Sequence, residues 1–206
     1  KGLGNAIAKE FAAHDFRVVL IARNAEHLAD YKKEFEAEGI EVHTKVADAA
    51  KPKTLTAVID EVKAEFGAPD VFVYHVGNIN IDPENITNEL IMEHYQVDVA
   101  SAYVCADYLG KDEEFADKKG TILFTGGGFA KTFATIPVLK VLCIDKAAMN
   151  AANIVLHDTL APKGIFVGSV LVSGVIAEGD ERYDPSLIAK QYWKMYIERS
   201  EYQLQY

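Results

Sequence analysis

The chain has 206 residues, 50% of them hydrophobic and 25% charged, with 31 acidic against 21 basic side chains and a formal net charge of −10. That is ordinary globular composition on a length that closes one core without metals or disulfides, so residues 1–206 are expected to form a single domain. The charge has the wrong sign for a general nucleic-acid binder, and no apolar stretch approaches the roughly 18 residues of a membrane span.

In chain order, Gly2-Leu3-Gly4 runs straight into Ala6, Ile7, Ala8 and Phe11, an amphipathic helix. Arg17 to Ala22 reads as a strand, and Ala25 to Glu38 as a charged helix stopped by Gly39. Ile40 to Val46 is the next strand. Leu55, Val58, Ile59, Val62 and Phe66 fall at helical spacing over 54–66, and Gly67-Ala68-Pro69 ends that helix. Asp70 to His75 is a strand, and a long helical region follows from Ile91 to Leu109. Thr121 to Thr125 is a strand stopped by three glycines, and Leu139 to Leu160 is a second long helix. Gly164 to Val172 is a nearly unbroken apolar strand, Pro185 to Ile197 is helical, and the last residues suit an edge strand.

Apolar strands alternating with helices indicate a parallel sheet covered on both faces, the doubly wound Rossmann-type α/β fold. Ligands of such folds bind beyond the carboxyl ends of the strands. Those ends are Ala22-Arg23, Ala47-Asp48, His75-Val76-Gly77, Gly126 to Gly128 and Val172-Ser173-Gly174. No basic segment followed by an apolar run opens the chain as a secretory leader would, and cytoplasm is the expected compartment. Cys105 and Cys143 sit in apolar segments and are expected to be buried free thiols. No metal site is expected.

Glycines that open a helix let a phosphate approach its N-terminal N–H groups. A Gly-x-Gly alone is a weak signal. Here it precedes a helix and then a strand ending at Ala22-Arg23, about 20 residues on. The whole pattern resembles the short-chain dehydrogenase/reductase family. Gly2 and Gly4 match the last two glycines of the family's Thr-Gly-x-x-x-Gly-x-Gly turn. Asp48, Gly77, Lys146 and the run Ala161-Pro162-Lys163-Gly164-Ile165 match further positions. The resemblance looks closest to an atypical branch, with Gly-Thr-Ile-Leu-Phe-Thr-Gly at 120–126. It implies a central first strand before the glycine turn. A natural chain is therefore expected to carry about ten more residues upstream of Lys1, since without them the neighbouring strands would hold unpaired buried backbone groups at about 1–3 kcal/mol each. The stretch from Gly174 to Asp184 is short for the family's substrate lid.

The resemblance implies a nicotinamide cofactor held by Lys1, Gly2, Leu3, Gly4, Arg23, Asp48, Gly77 and Lys146. NAD users place an acidic residue at the end of the second family strand. Here Ala22 and Arg23 stand there, and Lys1 precedes the glycines, so NADP(H) is favoured over NAD(H). The alternative is that Arg23 and Lys1 are solvated surface charges. Asp48 would contact the adenine, cap the following turn, or do both.

The family's chemistry moves a hydride between nicotinamide and a carbonyl or alcohol carbon. A tyrosine phenol moves the proton, a lysine four residues later lowers its pKa, a serine polarises the carbonyl and an asparagine completes a proton path. Lys146 matches the lysine, but Leu142 stands at the tyrosine position and Asp98 at the asparagine position. The serine position falls near Phe129, in a run without a hydroxyl; Thr125 lies early and Thr132 is poorly spaced. Tyr74, His75, Tyr103 and Tyr183 are candidate substitutes for the phenol, each with a plain packing alternative. Asp98 and Lys146 could pair as ions. The expected function is an NADP-dependent oxidoreductase with degenerate catalytic positions acting on a small carbonyl or alcohol; the alternative is a non-catalytic NADP-binding sensor or assembly subunit. The two long helices carry apolar Tyr103, Val104, Met149 and Ile154 beyond one face; some must cover the sheet, the remainder suggest a helix-to-helix contact, and in the family these helices pair across a two-fold axis, so a homodimer or homotetramer is expected.

Overall fold

The structure, a computed structural model, describes residues 2–128 and 136–206. The expectations placed on Lys1, Phe129 and Thr132 lie outside the described residues. Contacts divide the chain into two compact units, residues 1–67 with 174–198 and residues 68–173 with 199–206.

The first unit begins with α1 (Leu3–Ala12), then β1 (Val18–Ala22), α2 (Ala25–Ala37), β2 (Val42–Val46) and α3 (Pro52–Phe66), and it includes α8 (Pro185–Glu198). β1 and β2 pair in parallel, Val18 opposite Val42 through Ala22 opposite Val46. The core of this unit is Ala8, Val18, Phe35 and Val42, closed by Ala12, Leu20 and Ile40. Asn24 caps α2 by accepting from the Glu26 and His27 amides, satisfying two of the orphan N–H groups of a helix start. Aromatic rings join α1 to α8: the Phe11 and Phe16 rings meet Trp193 and Tyr196 edge-on, and His14 stacks on Trp193 at 3.7 Å.

The second unit carries β3 (Val71–Tyr74), α4 (Asn88–Tyr95), a π-helical turn (Gln96–Ala100), α5 (Ser101–Leu109) and the short α6 (Glu113–Asp117). β4 (Thr121–Gly127), α7 (Lys140–Leu160), β5 (Phe166–Val172) and β6 (Gln203–Gln205) complete it. Its strands form one parallel sheet in the order β3-β4-β5-β6. β4 and β5 are buried nearly throughout, as continuous apolar strands of a covered parallel sheet should be. β1 and β3 are largely half-buried, with one strand edge each unpaired among the described residues. The chain is thus a parallel-sheet α/β protein of Rossmann type with flanking helices.

Two expectations are corrected. The glycines after Thr125 do not stop β4. The strand runs to Gly127, and it needs Gly126 without a side chain, because a Cβ there would collide with the Leu171 side chain of β5. The helix expected over 91–109 begins earlier, at Asn88 behind the Thr87 cap, and is interrupted by the π-turn that contains Asp98. Met149 belongs to the core at 4% exposure, whereas Tyr103 and Val104 do face outward. Cys105 and Cys143 are buried free thiols, and burial pushes the Cys105 thiol up to about 12.

Candidate active site

The glycine turn stands at the head of α1. Gly2 has φ 104°, a left-handed conformation that favours glycine, and nothing lies within 4 Å of where its Cβ would be. Leu3 is buried and anchors the turn, while Gly4 sits in the first helical turn. No side chain caps this helix start, no acidic residue occupies its first turn, and the Asn5 side-chain NH₂ is buried without a hydrogen-bond partner among the described residues. Uncapped N–H groups, an unpartnered amide donor and open space over a glycine suit the phosphates of a dinucleotide. Arg23 is exposed directly after β1, between Ala22 and the Asn24 cap. Asp48 caps its own turn: its carboxylate accepts from the Ala50 amide at 3.0 Å, and its backbone is tied to the Thr54 hydroxyl.

In the second unit, three elements bring Gly77, Asp98 and Lys146 together. A Cβ on Gly77 would stand 3.1 Å from Asp98 Oδ1 and 3.5 Å from Lys146 Nζ. The Asn78 amide donates to both Asp98 oxygens at 3.1 Å. Asp98, 2% exposed, nevertheless has its pKa raised, because burial outweighs the Lys146 charge and that hydrogen bond. Lys146 donates to the Thr125 carbonyl at 3.2 Å; burial lowers its pKa against the opposing pull of Asp98 and Asp145. Asp98 and Lys146 therefore interact electrostatically about Gly77, each with its own hydrogen bond to backbone.

His75, one residue past β3, lies beside this group, its Nδ1 2.8 Å from the Thr125 hydroxyl. Surrounding protein and the Lys146 charge hold the imidazole below its ordinary range although the residue keeps an exposed face, so the neutral ring is the resting form at pH 7. Leu142 is in the core at 5% exposure. Of the other substitutes, Tyr74 donates its hydroxyl to the Val97 carbonyl at 2.6 Å, and burial pushes its phenol far up. Tyr103 faces outward from α5, and Tyr183, in the first unit, lies over Gly174.

Two residues of this group escape a reading by motif. Asp145 is fully buried, and neither of its oxygens has a hydrogen-bond partner among the described residues. His94, 3% exposed, places its unpartnered Nδ1 3.9 Å from Asp145 Oδ2. The signals were an i, i+4 pair, His94 and Asp98, and an aspartate beside Lys146 in an apolar helix.

The family model of short chain dehydrogenases matches residues 1–184. A mouse protein named inactive hydroxysteroid dehydrogenase-like protein 1 is 24% identical over 86% of this chain and 54% of its own length. Sorbose reductase SOU1 of Candida albicans is 24% identical over 94% of this chain and 69% of its own. The chain spans about half the length of the mouse relative. Among solved structures, a metagenomic short-chain oxidoreductase in complex with NADP superposes with a TM-score of 0.86 at 20% identity, covering 100% of this chain and 92% of that one. An alcohol dehydrogenase from the archaeon Thermococcus sibiricus, complexed with 5-hydroxy-NADP, gives 0.85 at 19% identity, covering 100% and 91%. No helix among the described residues is long and apolar enough to cross a membrane. With the glycine turn, the parallel sheets and a family match over residues 1–184, this chain belongs to the short chain dehydrogenase family, whose members are oxidoreductases binding nicotinamide cofactors.

Proposed function

We propose that this chain is an NADP(H)-binding oxidoreductase domain whose usual proton donor has been lost, acting on a small carbonyl or alcohol in the cytoplasm. The observation that carries the reading is the persistence of Gly77, Asp98 and Lys146 as one group while Leu142, four residues before Lys146, is buried and cannot move a proton. The bound cofactor supplies the hydride. Gly2, Leu3 and Gly4 present backbone donors to its phosphates, Arg23 offers a cation to a ribose 2′-phosphate, and Asp48 shapes the turn that meets the adenine. Lys146 holds the nicotinamide ribose, and Asp98 balances its charge. The two units are read as parts of one domain, which the family match across both supports. The outward apolar residues of α5 and α7, Tyr103, Val104 and Val155 among them, support a homodimer or homotetramer.

A second reading, a non-catalytic NADP sensor or assembly subunit, is favoured by Tyr74, whose proton is committed to the Val97 carbonyl, and by the inactive designation of the mouse relative. Calorimetric titration of the full-length protein tests the common ground. Tighter binding of NADPH than NADH is expected, and equal affinities would remove the argument from Arg23.

A further inference from the structure

Behind Lys146 lie three buried side chains that the family chemistry does not use together. His94 comes from α4, Asp98 from the π-turn and Asp145 from α7, and one donor atom of each lies within 4.8 Å of the others. Both Asp145 oxygens and His94 Nδ1 are buried without partners among the described residues. Buried polar atoms are almost always hydrogen-bonded, so this group requires an occupant.

The spacing admits a water molecule. Three atoms so placed share a point no more than about 2.8 Å from each, within hydrogen-bond reach of a buried water with three partners. Charge points the same way. With every acid ionised and the imidazole neutral, two carboxylates face one ammonium, leaving one buried negative charge in excess. A single proton removes that excess, whereas a divalent cation beside Lys146 would overshoot it.

We propose that His94, Asp98 and Asp145 form a buried site for one water molecule and one proton, and that this site, acting through Asp98, positions Lys146. Asp145 carries the proton in the resting protein, the water bridges it to His94 Nδ1, and Asp98 stays ionised toward Lys146. The direction of the Asp145 shift agrees: burial and the Asp98 charge raise it to about 7, against the Lys146 charge. The other titratable neighbours are His75, facing Lys146, and Tyr74, facing Asp98 and Cys105. His94 and Asp145 are thus positioning residues. Their functional consequence rests on the reading of Lys146 as the ribose ligand, while the site itself is a property of the cofactor-free protein.

The test is infrared titration of the full-length protein without cofactor, in D₂O, from pH 5 to pH 9. A protonated-carboxyl band present at low pH and fading around pH 7 is expected, absent in Asp145→Asn and shifted in midpoint in His94→Gln. In parallel, NMR of the lysine amines should show Lys146 titrating at lower pH in Asp145→Asn, because an acid that would then be ionised has been removed. His94→Gln keeps the test decisive should Asp145→Asn fail to fold. No carboxyl band at pH 5, a band that survives in Asp145→Asn, or a Lys146 titration unmoved by that change would overturn the proposal. So would stoichiometric binding of zinc or manganese that Asp145→Asn abolishes, since the site would then be a cation site. Failure to bind NADPH with the band intact would instead contradict the cofactor reading and leave the proton site standing.

Discussion

On the proposed reading, the glycine turn of the first unit and the Lys146 group of the second serve one chemistry in opposite styles. The turn is open: Arg23 is exposed, and among the described residues the donors of α1 have no side-chain cap. The Lys146 group is closed: Asp98, Asp145 and His94 are almost wholly buried, and burial is what shifts the two carboxyls most. A cofactor's phosphates need donors left free. A proton path needs a titratable group at the reacting atoms, and the position four residues before Lys146 is a buried leucine, Leu142.

The sharpest way to break that contrast is to rebuild the missing acid. Losing a positioned general acid costs about 10²–10⁴ in rate, so the full-length protein should turn over common ketones and alcohols slowly or not at all. Leu142→Tyr alone should restore little, because Leu142 is packed in the core and overpacking costs about 1–3 kcal/mol. Adding Gly127→Ser should raise the rate beyond either single change, since groups that act as a unit are not additive. Steady-state assays of the three variants decide it.

Stability against pH probes the closed region next. Asp145 titrates near 7 folded and near its ordinary value unfolded, so between about pH 4 and 7 the native state binds more protons and stability falls as pH rises. His75, depressed to about 4, contributes the opposite slope between about pH 4 and 6.5. Asp145→Asn removes only the falling contribution. The variant should therefore gain on the parent as pH rises, by up to about 4 kcal/mol above pH 7. Denaturant midpoints at pH 5 and pH 8 measure it, and a constant difference would contradict the assignment.

Arg23→Asp tests the open region. Losing a charge-assisted contact to the 2′-phosphate, worth about 1.5–3 kcal/mol, should weaken NADPH about 10- to 100-fold and leave NADH little changed. Calorimetry with both cofactors reads the ratio. The smallest effect is expected from Gly77→Ala. Its Cβ would press on Asp98 Oδ1 at 3.1 Å, which a shift of a few tenths of an ångström relieves, so a loss of about 1 kcal/mol or less in thermal unfolding is expected.

The open region was the more legible from sequence. A Gly-x-Gly at a helix head and a strand ending in Ala22-Arg23 are local patterns, and backbone geometry follows from them directly. Strand positions and most helix limits follow from apolar runs and periodicity, as in α2, α7 and β5. The closed region was legible only in part. Asp98 and Lys146 could be placed by the family resemblance, but the π-turn that carries Asp98 leaves no mark in residue periodicity, and His94 and Asp145 meet only through tertiary packing. Likewise, the triple glycine reads as a stop, whereas Gly126 is glycine because Leu171 of the neighbouring strand fills the space.

Binding and chemistry measured on one sample test the account most directly. Stoichiometric full-length protein is loaded with NADPH and mixed with a panel of aldehydes and ketones, and nicotinamide absorbance is followed over many minutes. The account predicts saturable NADPH binding and cofactor that stays reduced across the panel. Rapid oxidation of the bound NADPH by an ordinary carbonyl would contradict it and show that another side chain supplies the proton, with His75→Ala the first variant to identify it.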